Sequence, residues 1–408
     1  MFPIAANFHR LIQWISDILQ TIPSSTFVLH RPFGFCSVIT ANPVVVQHIL
    51  KTNFPCYNKG PRFHRSLVEF LGNGIFNVDS ESWKVQRQVS SHEFNTKSLR
   101  KFVETVVDVE LNNRLLPILT DASKNQTILP DFQDILQRFT FDNICMIAFG
   151  FDPEYLLPSL PETAFVKAFD DSSRISSERV NAEIPFLWKV KKILNVGSER
   201  QLKEAVAEVR GLATRIVREK KKELEEKSAL ESLDILSRFL SSGHSDEAFV
   251  VDIVISFILS GRDTTSAALT WFFWLLSKHS HVENEILKEI TGKSETDSYN
   301  EVKDMVYTHA ALCESMRLYP PVPVDAKEAA YDDVLPDGTL VKKGWGDSTA
   351  PSQLFKFTPI LLDFYCLEPP QKLALHHISL TLLSLGKSLQ SCFRAHTVMV
   401  MQCRLSKV

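Results

Sequence analysis

The chain of 408 residues is 44% hydrophobic and 23% charged, which are ordinary values for a folded globular protein. Its formal net charge of −3 gives no electrostatic case for nucleic acid as a partner. The 7 cysteines are odd in number and scattered without a CxxC pair, which is typical of free thiols in a reducing compartment.

The amino-terminal part of the chain predicts short elements. Residues 1–20 have the pattern of an amphipathic helix, and the polar residues among them argue against a signal peptide or a membrane span. Residues 26–40 predict a hairpin around a Pro-Phe-Gly turn, and Asn42 and Pro43 then open a short helix. Residues 55–78 are rich in Gly, Asn and Pro, and this composition predicts a long loop.

Helices dominate from residue 81 onward. The apolar residues of segments 82–94, 98–119 and 131–149 recur with the period of 3.6 residues that an amphipathic helix shows. Residues 198–227 form one longer helical pattern, and the charge run REKKKELEEK at its end predicts a solvated helix face.

The segment 251–276 is long and apolar, but Arg262 and Asp263 in its middle argue against a membrane helix and favour a buried one. Gly261, Thr264 and Thr265 are poor helix formers and weaken the hydrogen-bond ladder there. Such a defect leaves room for a small molecule between turns.

Small residues in this segment recur at four-residue steps. They are Ser256, Ser260, Thr264 and Ala268, which would form a smooth wall for a flat macrocycle. A wall of this kind also allows close packing against another helix, which is the interpretation that the stripe favours when it is taken alone. Asp263 next to Thr264 supplies an acid and an alcohol, which together suit a proton relay into an apolar site.

Two further pairs stand at helical spacing. Trp83 and Arg87 are one turn apart, so their N–H donors could hold a carboxylate together, although a surface stack of the two side chains is the alternative. Glu314 and Arg317 form an i,i+3 pair, which is commonly a surface ion pair. Its apolar flanks predict instead that this pair is buried and fixes the architecture.

The three motifs WKVQR, SGRDTT and ESMR, the last followed by LYPPVP, stand in an order that resembles the cytochrome P-450 family. The flanking sequences are similar to the plant fatty-acid ω-hydroxylase branch, and the resemblance covers residues 7 to 344. It implies a mainly α fold with a small β-sheet (α+β), with residues 1–346 as one cytochrome P-450-like domain.

The resemblance also implies a haem b cofactor and assigns roles to particular residues. It assigns Trp83 and Arg87 to the haem propionates and Asp263 and Thr264 to oxygen activation and proton delivery. The remaining assignments are Ser260, Gly261 and Thr264 along the cofactor, Glu314 and Arg317 as a structural ion pair, and Phe70, Phe76 and Phe257 against substrate.

Partners and location follow from the same resemblance. It implies an NADPH-dependent flavoprotein reductase, O2 and a fatty-acid substrate, at the cytosolic face of the endoplasmic reticulum membrane. Because no anchor is found in the sequence, we expect the chain itself to be cytosolic or peripheral, with a membrane surface as a candidate partner.

The resemblance stops at about Gly346. Residues 347–408 contain only three acidic residues and have no match to FxxGxRxCxG, the motif that carries the cysteine ligand of the haem iron in this family. Cys366, Cys392 and Cys403 all lack the surrounding motif, and a reading-frame or splicing change is the simplest account. Two functions therefore remain open, a haem monooxygenase and a catalytically inactive helical protein that retains at most a pocket for apolar ligands.

Overall fold

The computed structural model of the chain describes residues 7, 10–30, 34, 36–94, 105–125, 131–161, 163–182, 185–226, 234–241, 246–291 and 305–349. These residues are mainly helical with two small sheets, as predicted. The helices are α1 Leu11–Thr21, α2 Pro43–Gln47, α3 Gly60–Leu71, α4 Ser80–Phe94, α5 Leu116–Lys124, α6 Phe132–Phe149, α7 Ala164–Asn181, α8 Pro185–Leu194, α9 Ser198–Glu226, α10 Ile235–Ser241, α11 Glu247–Lys278, α12 Ser280–Thr291 and α13 Val306–Leu318. The strands are β1 Thr26–His30, β2 Cys36–Thr40, β3 Tyr57–Asn58, β4 Asp325–Ala329, β5 Asp333–Val334, β6 Leu340–Val341 and β7 Gly346–Thr349.

The described residues fall into two compact units. The first takes its residues from segments 1–84, 167–207 and 322–368, and the second from segments 85–166, 208–321 and 369–408. The predicted division at residue 346 stays a prediction, since residues 350–408 lie outside the described part of the chain.

The first unit contains both sheets. Its five-stranded sheet has the order β1-β2-β7-β4-β3, in which β2 and β7 run parallel and the other neighbours antiparallel. The predicted hairpin is confirmed, with Thr26 opposite Thr40 in the register of β1 and β2. Asn42 caps α2 as predicted, because its side chain accepts a hydrogen bond from the backbone N–H of Val44.

The prediction of a loop over residues 55–78 is wrong, because α3 occupies Gly60–Leu71. Pro61 stands in the first turn of this helix, where a missing N–H costs nothing. The carboxylate of Asp79 accepts hydrogen bonds from the backbone N–H groups of Lys59 and Gly60, which the helix leaves unpaired. The buried side chains of Leu67 and Phe70 then supply the apolar face. The glycines around the helix masked this pattern in the sequence.

The second unit is organised around α11, which packs on α6. Val250, Val254, Ile255 and Ile258 of α11 are fully buried, as the sequence predicted for this segment. Helix α11 runs without a break through Gly261 and Thr264, so the expected weakening of its ladder does not interrupt it. The hydroxyl of Thr140 on α6 donates to the carbonyl of Arg262 at 3.0 Å.

The other helical predictions are confirmed with shifted boundaries. The first helix begins at Leu11, the long charged helix spans Ser198–Glu226, and the helix predicted over 98–119 is described from residue 105. Its turn Leu111–Leu115 is a π-helix, and α5 continues from it. Among the described helices, none combines the length and the hydropathy that crossing a membrane requires.

Candidate functional site

Helix α4 carries the predicted carboxylate clamp. The ring of Trp83 packs on the ring of Phe54 with their centroids 5.3 Å apart, which gives this indole a structural contact within the first unit. Arg87, which belongs to the second unit, is half-buried. Its Nη1 atom is buried without a hydrogen-bond partner among the described residues. Burial lowers the pKa of Arg87. A buried guanidinium nitrogen without an acceptor is costly, so its position favours an anionic partner.

The middle of helix α11 is buried except for one accessible face. The half-buried positions in its middle are Leu259, Ser260, Asp263, Thr264 and Ala267, whereas the intervening residues are buried. These positions recur at steps of one, three and four residues, which places them on the same side of a helix. Leu259 and Ala267 were not in the predicted stripe, and its outer members, Ser256 and Ala268, are buried.

Two hydroxyls on this accessible face bond back to their own helix. The side chain of Thr264 donates to the carbonyl of Ser260 at 2.6 Å, and that of Ser260 donates to the carbonyl of Phe257 at 3.0 Å. Such bonds hold the hydroxyls in place and keep their lone pairs available to an incoming donor.

Gly261 has a different role from its neighbours. A Cβ atom built on Gly261 would lie 2.5 Å from Cγ1 of Ile144 on α6, which no real pair of carbon atoms tolerates. The glycine therefore allows α6 and α11 to approach closely. Its predicted contact with a cofactor stays a prediction, whereas its packing role is evident.

The acid of the predicted relay is paired with its neighbour in the chain. Oδ1 of Asp263 lies 3.1 Å from Nη1 of Arg262, whose side chain is only 1% exposed, whereas that of Asp263 is 32% exposed. Asp263 thus combines a fixed position with access to the surface, as a group that exchanges protons requires.

The Glu314–Arg317 pair forms as predicted, on α13. Its two hydrogen bonds, from Nε and Nη2 of Arg317, measure 2.7 and 2.6 Å. Hydrogen bonding to Arg317 lowers the pKa of Glu314. The predicted burial is wrong, because the side chain of Glu314 is 55% exposed. Helix α13 buries Leu312 and Ser315 on other faces, so the pair lies at its edge.

Two contacts fix α13 within the second unit. The carboxylate of Glu289 on α12 accepts hydrogen bonds from the backbone N–H groups of Tyr307 and Thr308 and from the Thr308 hydroxyl. At the other end of α13, the ring of Tyr319 stacks on Trp271 of α11 with centroids 3.9 Å apart. The helix with the Glu/Arg pair is therefore joined directly to the helix with the accessible face.

The three phenylalanines predicted to contact substrate lie in different surroundings. Phe70 is buried against Phe169 in the first unit, with ring centroids 5.2 Å apart. Phe76 is half-buried in the same unit, and Phe257 is buried in the second. Phe76 therefore retains the most surface for a ligand, and the substrate role of all three stays a prediction.

Comparison with known proteins places these residues in context. Residues 27–346 match the sequence profile of the family described as Cytochrome P450. The chain is 78% identical over 347 residues to Cytochrome P450 94A2 of Vicia sativa, an alignment that covers 84% of this chain and 67% of that protein.

Two other relatives give the same extent of similarity. Cytochrome P450 94A1 of Vicia sativa is 64% identical over 338 residues, which cover 83% of this chain and 66% of that protein. Cytochrome P450 94B1 of Arabidopsis thaliana is 48% identical over 341 residues, with coverages of 83% and 66%. The chain thus spans about two thirds of the length of the curated relatives that it matches.

This similarity implies a haem cofactor. The residues present on α4 and α11 fit such a group in part. The unpaired nitrogen of Arg87 suits a propionate, and the small side chains of Ser260, Thr264 and Ala267 leave space along α11 for a flat ring. A sulfur ligand is not found in the described part of the chain. There, Cys56 and Cys145 are buried, while Cys36 and Cys313 lie within 3.7 Å of His30 and His309 respectively. The described residues therefore offer a partner for a propionate and a wall for the ring. They do not identify a ligand for the iron.

Proposed function

Because the chain belongs to the cytochrome P450 family, we propose that residues 1–346 derive from a haem-dependent monooxygenase that hydroxylates the terminal carbon of a fatty acid. The accessible face of α11 carries this proposal, since it exposes an acid and an alcohol at the middle of a buried helix. Haem, when bound, supplies the activation of O2, which no amino-acid side chain performs.

The protein's own part begins with holding the cofactor. Arg87 would donate from its unpaired nitrogen to a propionate, and Trp83 of the same helix would add its indole N–H. The small side chains of Ser260 and Thr264 would leave room for the ring beside α11, whereas Gly261 serves the packing of α11 on α6. The Glu314–Arg317 pair acts at a distance by setting α13, which Tyr319 joins to α11.

Proton delivery is the second task. Thr264 holds a hydroxyl proton on the accessible face, and its bond to the Ser260 carbonyl is short enough to fix the rotamer. Asp263, partly exposed and held by Arg262, takes protons from solvent and passes them toward the neighbouring hydroxyl.

The substrate and partners form the finer part of the proposal. An apolar chain suits a phenylalanine-rich protein. Phe76 is the half-buried candidate contact, and Phe70 and Phe257, each buried within its own unit, are the other two candidates. The two electrons come from an NADPH-dependent flavoprotein reductase, and the place of action is the cytosolic face of the endoplasmic reticulum membrane.

A second function is favoured by the sequence after residue 346. Residues 347–408 contain no FxxGxRxCxG motif, so we propose that the 408-residue chain is catalytically inactive and retains at most an apolar-ligand pocket. A thiolate ligand is required to split the O–O bond in this type of enzyme, which is why its loss removes activity altogether.

One experiment distinguishes the two functions. A hybrid chain is made in which residues 347–408 are replaced by the corresponding carboxyl-terminal segment of Cytochrome P450 94A2 of Vicia sativa. With reductase, NADPH and a fatty acid, the hybrid should form the terminal alcohol, and the 408-residue chain should form none. Oxidation at internal carbons alone would contradict the proposed position of attack, and product from the 408-residue chain would contradict the proposed inactivity.

A further inference from the structure

Helix α13 of the second unit exposes an imidazole and a thiol one helical turn apart. His309 and Cys313 stand at i,i+4 spacing, and both residues are exposed. The Nδ1 atom of His309 lies 3.7 Å from the Sγ atom of Cys313. The ion pair between Glu314 and Arg317 on the same helix uses neither of these side chains.

The separation of these two atoms suits a zinc ion. Zinc bonds to an imidazole nitrogen at about 2.0 Å and to a thiolate sulfur at about 2.3 Å, so two such ligands at a tetrahedral angle stand roughly 3.5 Å apart. The distance of 3.7 Å between Nδ1 and Sγ is close to this value, so zinc binding requires little movement of either side chain. The ligand types also exclude magnesium and calcium, because these harder cations prefer oxygen.

The helix that carries both ligands is held at its two ends. Directly before His309, the backbone N–H of Thr308 donates to the carboxylate of Glu289 on α12 at 2.8 Å. At the other end of α13, the ring of Tyr319 stacks on Trp271 of α11. Because the backbone beneath the two ligands is fixed before a metal arrives, binding orders little more than two side chains.

Two protein ligands leave a zinc ion with open coordination positions. Among the described residues, no group of three or more His, Cys, Asp and Glu side chains is placed to hold a metal. Water or another exchangeable ligand therefore completes the tetrahedron. The charged side chains of α13, Glu314 and Arg317, are paired with each other, so no unpaired cation of this helix opposes the metal.

From this geometry we propose that His309 and Cys313 form a two-ligand site for zinc. The thiol of Cys313 releases its proton to solvent and coordinates as a thiolate, while the neutral imidazole of His309 coordinates through Nδ1 and keeps its proton on Nε2. Because binding releases a proton, the affinity for zinc should rise with pH. The proposal does not depend on the proposed oxygenase function, since neither residue has a part in it.

The rate at which iodoacetamide alkylates Cys313 in the 408-residue chain tests the proposal. Mass spectrometry of the peptides measures each cysteine separately, so the other cysteines do not enter the rate. A sulfur bound to zinc does not react, and the rate for Cys313 should therefore fall as zinc is added. At saturating zinc it should be at least about tenfold lower, and EDTA should restore the original rate.

A matched variant tests the spacing of the two ligands. His309→Gln with Val306→His, the shifted-histidine variant, keeps one imidazole and one thiol on α13 but places them seven residues, or about 10.5 Å along the axis, apart. Val306 is 72% exposed, so the new side chain requires no repacking. Zinc should not slow the alkylation of Cys313 in this variant. His309→Cys should retain the slowing, because two thiolates one turn apart also suit zinc.

Cobalt(II) in place of zinc reports the bond to sulfur directly. Circular dichroism first confirms that each variant folds like the parent. The cobalt–thiolate absorption of the parent should be reduced in Cys313→Ser and in the shifted-histidine variant. Alkylation of Cys313 at the same rate with and without zinc in the parent would overturn the proposal. So would slowing by zinc that persists in the shifted-histidine variant, or a cobalt absorption that Cys313→Ser leaves unchanged.

Discussion

Gly261 of α11 faces Ile144 of α6 so closely that a Cβ on the glycine would lie 2.5 Å from Cγ1 of the isoleucine and 2.8 Å from its Cβ. The second distance matters most, because the Cβ of Ile144 is attached to the backbone and cannot swing away. The close packing of α6 and α11 therefore depends on this glycine.

Gly261→Ala should consequently destabilise the protein, although alanine is the better helix former by about 1 kcal/mol. Overpacking of a tight core costs roughly 1–3 kcal/mol, so the net change should be a loss. Gly211→Ala on α9 is the control, since nothing lies within 4 Å of its added methyl group, and it should raise stability. Unfolding in urea, followed by circular dichroism, measures both. A stabilising Gly261→Ala would contradict the packing described for α6 and α11.

Arg87→Ala in the hybrid chain should weaken haem retention. The loss of a hydrogen bond to a charged group costs about 1.5–3 kcal/mol, which corresponds to roughly a 10- to 150-fold weaker hold on haem. The stability of the haem-free protein should not fall, because Arg87 leaves a buried nitrogen unpaired there. Haem transfer to apomyoglobin gives the dissociation rate, and Lys84→Ala on the exposed side of α4 is the control. Unchanged haem retention would favour a surface stack of Trp83 and Arg87.

Thr264→Ala in the hybrid chain should leave haem content unchanged but divert reducing equivalents from substrate to hydrogen peroxide. The Thr264 hydroxyl on the accessible face of α11 is then missing, while helix α11 itself is retained. Thr264→Ser keeps the hydroxyl and should preserve most of the coupling. Asp263→Asn should slow turnover because the partly exposed acid no longer delivers protons. The ratio of hydroxylated product to NADPH consumed measures the effect, and an unchanged ratio in Thr264→Ala would assign Thr264 to packing only.

Glu110 makes the stability of the second unit dependent on pH. Burial, followed by the charge of Asp142, raises its pKa from 4.5 to about 8, although Arg114 lies 3.1 Å away. The folded state therefore binds more protons than the unfolded state between pH 4.5 and 8, and stability falls as the pH rises through this window.

Glu110→Gln should remove much of this dependence. Its thermal midpoint should exceed that of the parent by an increasing margin toward pH 8. Glu154→Gln is the control, because Glu154 is exposed and its carboxylate lies 4.0 Å from the same Arg114. A parent whose stability rises between pH 4.5 and 8, with Glu110→Gln following it in parallel, would show that Glu110 ionises like an exposed acid.

Much of this fold could be predicted from local patterns in the sequence. The hairpin β1–β2 has a turn between two β-rich runs, and α9 and α11 show long stretches with helical periodicity. Helix α3 was missed because Gly60, Pro61 and the glycines after Leu71 resemble a loop, although Pro61 also fits a first helical turn.

The site was less predictable than the fold. Steps of four residues drift around a helix by about 40° each, so the stripe from Ser256 to Ala268 leaves the accessible face at both ends. Leu259 and Ala267 take part because the true face follows the 3.6-residue period. The i,i+3 spacing in the sequence correctly predicted that Glu314 pairs with Arg317. It could not predict how exposed the pair is, because that depends on which residues cover α13.

The most direct test of the account is the carbon-monoxide difference spectrum of the reduced proteins after supplementation with haem. The account predicts a thiolate-type spectrum for the hybrid chain and none for the 408-residue chain, in which any haem is absent or held loosely by a residue such as His376 or His377. Both histidines, and all three cysteines of residues 347–408, lie outside the described part of the chain. A thiolate-type spectrum from the 408-residue chain, abolished by substituting Cys366, Cys392 or Cys403, would contradict the account and show that residues 347–408 supply the iron ligand themselves.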